Sequence, residues 1–171
     1  PFITIVMYLI INSVNMTDGV DGLAAGVTII VMVFFSIVAM TRSEWETVKI
    51  FSSAVAGGCL GFLVFNLHPA RVFMGDTGSL ALGGAVGAAA VIMKMPWILL
   101  LAGGIYAIES LSVFLQVTSF KLRGKRIFKM APLHHHFELM GWKETKVVKV
   151  FWTVTLILCI VSLAVLRISF W

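Results

Sequence analysis

Apolar residues run along this chain in long blocks instead of alternating with polar ones. Six blocks stand out: Pro1 to Ile11, Leu23 to Met40, Ile50 to Phe65, Leu80 to Met95, Trp97 to Phe120 and Val147 to about Ile168. Most of them approach the ~20 residues that a helix needs to cross ~30 Å of hydrocarbon. A transmembrane barrel would require period-two alternation, which the blocks lack. A helix satisfies its own backbone donors and acceptors, as lipid demands. The pattern predicts an all-α fold, a polytopic helical transmembrane bundle of six segments.

The first block is short. Eleven residues give about 16 Å of helix, half of a span. It opens on Pro1 and has neither the basic region nor the cleavage site of a signal peptide. The expectation is a truncated first helix, with residues 1–171 forming the C-terminal portion of a single integral-membrane domain.

Composition agrees with the pattern. Sixty per cent of residues are hydrophobic and 12% charged, against roughly 25% charged in soluble domains; mean hydropathy is +1.02. Cys59 and Cys159 lie inside apolar blocks without metal-ligand spacing, and read as small packing residues.

Charge orients the loops. If loops alternate sides, the turns near residues 12–22, 66–79 and 121–149 share one face. That face carries Arg71, Lys121, Arg123, Lys125, Arg126, Lys129, Lys143, Lys146 and Lys149, against Arg42, Lys49, Lys94 and Arg167 on the other. The bias predicts that the first face is cytoplasmic. Trp45, Trp97 and Trp171 then fall at outer boundaries and Trp142 at the inner one.

Three polar clusters share the predicted cytoplasmic face. Asn12 to Gly22 holds Asn12, Asn15, Asp18 and Asp21, with two Asp-Gly pairs. Local turn chemistry explains a helix exit here, because Asn and Asp bond nearby backbone and Gly takes positive φ. It does not explain so many polar groups where a span should end. Asp18 and Asp21 would share a face if the turn were helical, ready for a cation or for sugar and base hydroxyls. The calcium-loop pattern does not fit, since it ends in Glu after a longer ligand series.

The second cluster is Asn66 to Ser79. Asp76 sits between glycines that let backbone N–H groups approach an anion, and Ser79 is placed to cap the next helix. No Lys follows in the P-loop pattern. Phe73 reads equally as core packing or as a face for a nucleobase. Magnesium, which keeps several waters and takes one or two carboxylates plus substrate phosphates, suits such sparse acidic equipment.

The third cluster is Pro132 to Glu138, preceded by the basic run Lys121 to Lys129. Three adjacent histidines, His134, His135 and His136, cannot all point one way, so a tight zinc site from them alone is disfavoured. Proton transfer or hydrogen bonding to phosphate and sugar oxygens suits them better. The basic run reads as a topology signal, a contact for anionic membrane lipid, or a guide for a polyanionic substrate. Glu109, an ionisable residue inside the fifth block, is expected to bond another segment. The run Gly83 to Ala90 reads as close helix packing.

At these residues the chain resembles a known family. Asn15 to Ala24, Phe73 to Gly83 and Pro132 to Glu138 are similar to three signature loops of the polyprenyl-phosphate N-acetylhexosamine-1-phosphate transferases, in the same order and on the same side. The His-His-His-Phe-Glu form followed by Gly141 and Trp142 resembles the bacterial branch that transfers phospho-N-acetylmuramoyl-pentapeptide. The resemblance implies a magnesium-dependent enzyme of the bacterial inner (cytoplasmic) membrane. Its donor would be UDP-MurNAc-pentapeptide, its acceptor undecaprenyl phosphate, and its products lipid I, for peptidoglycan synthesis, and UMP. It implies Asp76 as the magnesium ligand, with Asp18, His134, His135 and His136 in the catalytic set. Asp18, Gly19, Val20 and Asp21 would border the uridine pocket, and Asn12 and Asn15 would also bind substrate. Phe73 would stack on uracil, Asn66 would lie near the nucleoside, and the histidines would meet phosphate or sugar.

The family also carries adjacent aspartates in an earlier cytoplasmic loop, and no adjacent acidic pair occurs in this sequence. The expectation is a chain that folds with a missing N-terminal part of the same protein and is inactive alone. A homodimer is compatible with the resemblance, though no residue identifies an interface; no nucleic-acid partner is expected. Two other classes fit the pattern less fully. A transporter would also place polar loops and an intramembrane Glu at a bundle interior, whereas a membrane scaffold would need none of the Asp and His. Within the enzyme class the alternative is a sister transferase using UDP-GlcNAc.

Overall fold

The computed structural model describes residues 1–170, with side chains through Arg167; Trp171 and its predicted boundary role lie outside the described residues. The described chain is helical, with α1 at Phe2–Thr17, α2 at Leu23–Ala39, α3 at Glu46–Asn66 and α4 at Gly75–Ile92. They are followed by α5 at Leu99–Ala102, α6 at Gly104–Arg123, the short α7 at Leu133–Leu139 and α8 at Glu144–Phe170. The all-α expectation holds.

Three described stretches are long and apolar enough to cross a membrane: Ser43–Asn66, Gly75–Ile92 and Glu144–Arg167. A fourth is added if Pro96–Ala102 and Gly104–Arg123 count as one broken span, while α1 and α2 are apolar but shorter. These are the helices of an integral membrane protein. All six predicted segments are present as helices, but not all are full spans.

Two boundaries differ from expectation for local reasons. The first helix continues past Ile11 to Thr17 because its polar residues bond their own helix. Asn12 Nδ2 donates to the Tyr8 carbonyl at 2.7 Å, Ser13 Oγ to Leu9 at 2.7 Å, and Thr17 Oγ1 to Ser13 at 2.8 Å. The fifth segment, expected as one helix from Trp97 to Phe120, is instead bent by 84° at Gly103. The Gly103–Gly104 pair lowers helix propensity. Gly104 also lets α6 close on α8, since a Cβ there would stand 2.7 Å from Leu158 Cδ1.

Most of α2 lies in the core, with Val33 and Ile37 left exposed on one side. Leu23, Val27, Val31, Met32, Phe34, Phe35 and Val38 are buried, a wider buried face than the single stripe of a surface helix. It packs on α3, α8 and α4, while α1 packs on α4 and α6. The small-residue run of α4 does what its composition predicted. A Cβ on Gly83 would stand 2.6 Å from Ile11 Cα, so α1 and α4 meet backbone to backbone. Trp45, predicted as an interfacial anchor, is buried and lies under the Arg42 guanidinium at 4.9 Å. Trp97 is exposed, as expected of an anchor.

Candidate functional site

The helices deliver all three polar clusters to one end of the bundle, where hydrogen bonds join the first two and close packing sets the third against the first. Asn15, in the last turn of α1, donates to Asp76 Oδ1 at 3.1 Å and to Ser79 Oγ at 2.8 Å. Asn66, buried at the end of α3, accepts the Gly22 N–H at 3.0 Å and donates to the Val72 carbonyl at 3.0 Å. Gly19 lies so close to His134 that a Cβ there would stand 2.2 Å from Nε2. Each cluster is thereby fixed against another.

Two glycines permit the turns. Gly22 has φ +78° as the chain enters α2, and Gly75 has φ +64° as it enters α4, conformations that a Cβ disfavours. Asp76 then stands exposed in the first turn of α4, where the helix dipole favours a carboxylate. Ser79 is not the cap the sequence predicted. It is buried in the second turn, where its hydroxyl also reaches the Gly75 carbonyl at 3.2 Å.

Asp18 and Asp21 were expected on one face if their turn were helical. Helix α1 instead ends at Thr17 and the turn separates them. Asp18 couples to Asp76: burial, and then the negative charge of Asp76, push its carboxyl above the ordinary range. Asp21 turns toward the second loop and α8. Its Oδ2 accepts the Ala70 N–H at 2.9 Å and lies 3.2 Å from His68 Nδ1. Glu144, in the first turn of α8, completes this corner, with Oε2 3.1 Å from His68 Nδ1 and Oε1 accepting the Asp21 N–H at 2.7 Å.

The histidine helix is held from below. Glu109 is fully buried in α6, and its carboxylate accepts the Leu133 N–H at 2.8 Å and the His134 N–H at 3.2 Å. The intramembrane acid therefore bonds another segment, as predicted. His134 is buried, with Nδ1 3.2 Å from Glu109 Oε2 but without a well-aligned hydrogen bond at either ring nitrogen. His135 Nδ1 is 2.7 Å from Glu138 Oε2; the carboxylate can only accept, so Nδ1 carries the proton and a neutral ring leaves Nε2 basic. His136 Nδ1 accepts the Lys129 N–H at 3.1 Å, so its proton sits on Nε2. Adjacent rings are thus set as one acceptor and one donor.

The remaining predicted site residues sit as follows. Phe73 is 74% exposed, which excludes core packing and leaves its ring face open. Val20 is buried, and Asn12 spends its amide on its own helix. The basic run is exposed and pinned by Gln116, whose Oε1 takes the Ile127 and Phe128 N–H groups. Sequence reasoning did not single out Glu144 or Gln116. Each lies outside a recognisable motif, and only the fold brings it to the loops. For hard cations the exposed Asp76 beside half-buried Asp18 offers oxygen donors with room for water; the Asp21–His68–Glu144 corner offers a nitrogen as well.

Residues 1–94 match the model of glycosyl transferase family 4. A phospho-N-acetylmuramoyl-pentapeptide-transferase of Acetivibrio thermocellus is 70% identical over 171 residues, covering all of this chain and 52% of that protein. Proteins of the same name from Clostridium novyi and Caldicellulosiruptor bescii are 57% and 54% identical. They cover 95% and 99% of this chain and 50% and 52% of their own lengths. The chain spans about half the length of the curated relatives it matches.

Proposed function

This chain belongs to glycosyl transferase family 4, and on that premise we propose that it carries most of the active site of a phospho-N-acetylmuramoyl-pentapeptide transferase. In the reaction the β-phosphorus of UDP-MurNAc-pentapeptide exchanges its bond to the UMP oxygen for one to an oxygen of undecaprenyl phosphate. UMP leaves, and the lipid-linked sugar diphosphate, lipid I, remains in the membrane. The proposed setting is the cytoplasmic face of a bacterial inner membrane, where a soluble donor and a lipid acceptor can meet.

The observation that carries the reading is the convergence of the three polar loops, through the Asn15–Asp76 and Asn66–Gly22 hydrogen bonds and the close packing of Gly19 on His134. A transporter or scaffold has no need to fix a nucleotide-sized set of Asp, Asn, Phe and His at one end of its bundle. The exposed Phe73 ring suits stacking on uracil. Gly19, Val20 and Asp21 form the turn against which the nucleoside would rest, and Asn66 holds that turn in place.

Asp76 and Asp18 fit magnesium: burial and then the charge of Asp76 raise the Asp18 carboxyl, and a hard cation would relieve both carboxylates. When bound, the ion would neutralise diphosphate charge and make UMP a better leaving group. The chain's own residues would orient and stabilise. His136 Nε2–H can donate to a phosphate oxygen, while His135 Nε2 can take a proton from an incoming group. Glu109 keeps both rings in register by fixing the start of α7.

The test uses the protein extended upstream to the length of its relatives, in detergent with polyprenyl phosphate. Magnesium-dependent UMP release from UDP-MurNAc-pentapeptide, absent with UDP-GlcNAc and lost in Asp76→Ala, is the expected result. No release from either donor would overturn the reading; release from UDP-GlcNAc alone would move it to the sister reaction.

A further inference from the structure

The corner formed by Asp21, His68 and Glu144 lies outside the proposed Asp76 magnesium site and draws on three separate segments. One ligand-type atom from each lies within 4.8 Å of the others. His68 Nδ1 stands 3.2 Å from Asp21 Oδ2 and 3.1 Å from Glu144 Oε2. In tetrahedral coordination with bonds near 2.0 Å, neighbouring ligand atoms are about 3.3 Å apart, and in octahedral coordination about 3.0 Å. The two nitrogen–oxygen separations therefore match the edges of a coordination shell. The two carboxylates repel until a cation draws them together.

Both carboxylates are also oriented from outside the triad's side chains. The Ala70 N–H bonds Asp21 Oδ2 at 2.9 Å, and the Asp21 N–H bonds Glu144 Oε1 at 2.7 Å, leaving Oε2 turned to His68. Such outer contacts hold ligands in binding orientation. His68 is 46% exposed, so an ion can enter and water can complete its shell.

We propose that Asp21, His68 Nδ1 and Glu144 form a second cation site, selective for a zinc-class divalent transition metal. The donor set decides the class. Magnesium takes oxygen ligands and keeps its water, whereas imidazole suits zinc and its neighbours. On binding, Nδ1 gives its proton to solvent and the metal takes its place between the carboxylates. The ion then ties the turn 18–22, the loop 67–74 and the N-terminus of α8 together. The site shares Asp21 with the proposed nucleoside turn, but cation binding there needs neither donor nor acceptor substrate and can be measured without either.

Zn2+ binding to the detergent-purified protein, at the length of its relatives, is measured by competition with a chromophoric chelator in excess Mg2+, and Co2+ by its visible absorption. The expected result is one Zn2+ per chain that Mg2+ does not displace, and a higher melting temperature with Zn2+. His68→Gln and Glu144→Gln should each weaken binding at least ~tenfold and remove the cobalt band, whereas Asp76→Asn and His135→Gln keep both. His68 is exposed enough for its variant to fold, and unchanged elution and metal-free melting verify this. Loss in His135→Gln instead of His68→Gln would overturn the proposal by placing the ion on the histidine helix. Equal affinity in all variants, displacement by Mg2+, or no stoichiometric Zn2+ would overturn it as well.

Discussion

Replacing Glu109 should loosen the histidine helix before it loosens anything else. The carboxylate is fully buried and accepts two backbone N–H groups, from Leu133 at 2.8 Å and His134 at 3.2 Å. Hydrogen bonds to a charged group are worth about 1.5–3 kcal/mol each, and an abandoned buried donor bears its own desolvation cost. Glu109→Ala therefore costs roughly 3–5 kcal/mol, with the longer bond counted at the low end. Relief of the buried charge works against this, but removing one partner of a buried pair usually destabilises. Glu109→Gln keeps one acceptor oxygen and turns an NH2 toward the other N–H, so it should lose one bond, about 1.5–3 kcal/mol. The order of stability is wild type, then Gln, then Ala. Hydrogen exchange of the α7 peptide in detergent, with thermal melting alongside, measures it. Wild-type exchange of the Leu133 and His134 amides in Glu109→Ala would refute the reasoning, as would a Gln variant less stable than Ala.

Three further substitutions test other joints. Gly83→Ala should destabilise by about 1–3 kcal/mol despite a helix-propensity gain near 1 kcal/mol. The new Cβ meets Ile11 Cα, which is backbone and cannot swing aside, and a melt at or above wild type would count against the contact. Asn66→Ala strands the Gly22 N–H and the Val72 carbonyl, at about 1–3 kcal/mol for each that stays dry, and protease nicking within 67–74 should rise. Asp18→Asn should raise the melting temperature of the magnesium-free protein at neutral pH. With a folded pKa above the unfolded one, ionised Asp18 lowers stability as pH climbs past its ordinary 3.8, and the neutral amide removes that cost. The gain should vanish below that pH, and a lower melting temperature at pH 7 would reverse the sign of the argument.

What could be read from the sequence followed from composition and period. Apolar blocks gave the helices, and Gly83 to Ala90 gave the tight α1–α4 contact. Glu109 stood out because a charge within a span needs a partner. What could not be read depended on geometry that no local pattern encodes. Asn12 and Thr17 resemble helix-ending residues, yet they bond carbonyls one turn back and prolong α1. Ser79 sits where a cap would if α4 began later, but the helix starts at Gly75. Asp18 and Asp21 are three residues apart and serve different corners, because the turn between them is not helical. Glu144 lies 123 residues from Asp21, a pairing visible only once α8 is packed.

The sharp bend at Gly103 shapes the surface at the far end of the bundle. The stretch Pro96–Ala102 follows α4 at the end remote from the polar loops, and it turns 84° away from α6. Ile98, Leu99 and Ala102 are buried there, and the Ala102 carbonyl accepts from Cys159 of α8 at 3.7 Å. One side of this stretch is thus packed into the bundle, while Trp97 and Leu100 stay exposed. On its α1 side the stretch borders an apolar groove lined by Ile5, Leu9, Leu99, Leu100, Ala107 and Phe114. The bend thus gives the broken span two faces, one packed against α8 and one left to an apolar recess beside α1.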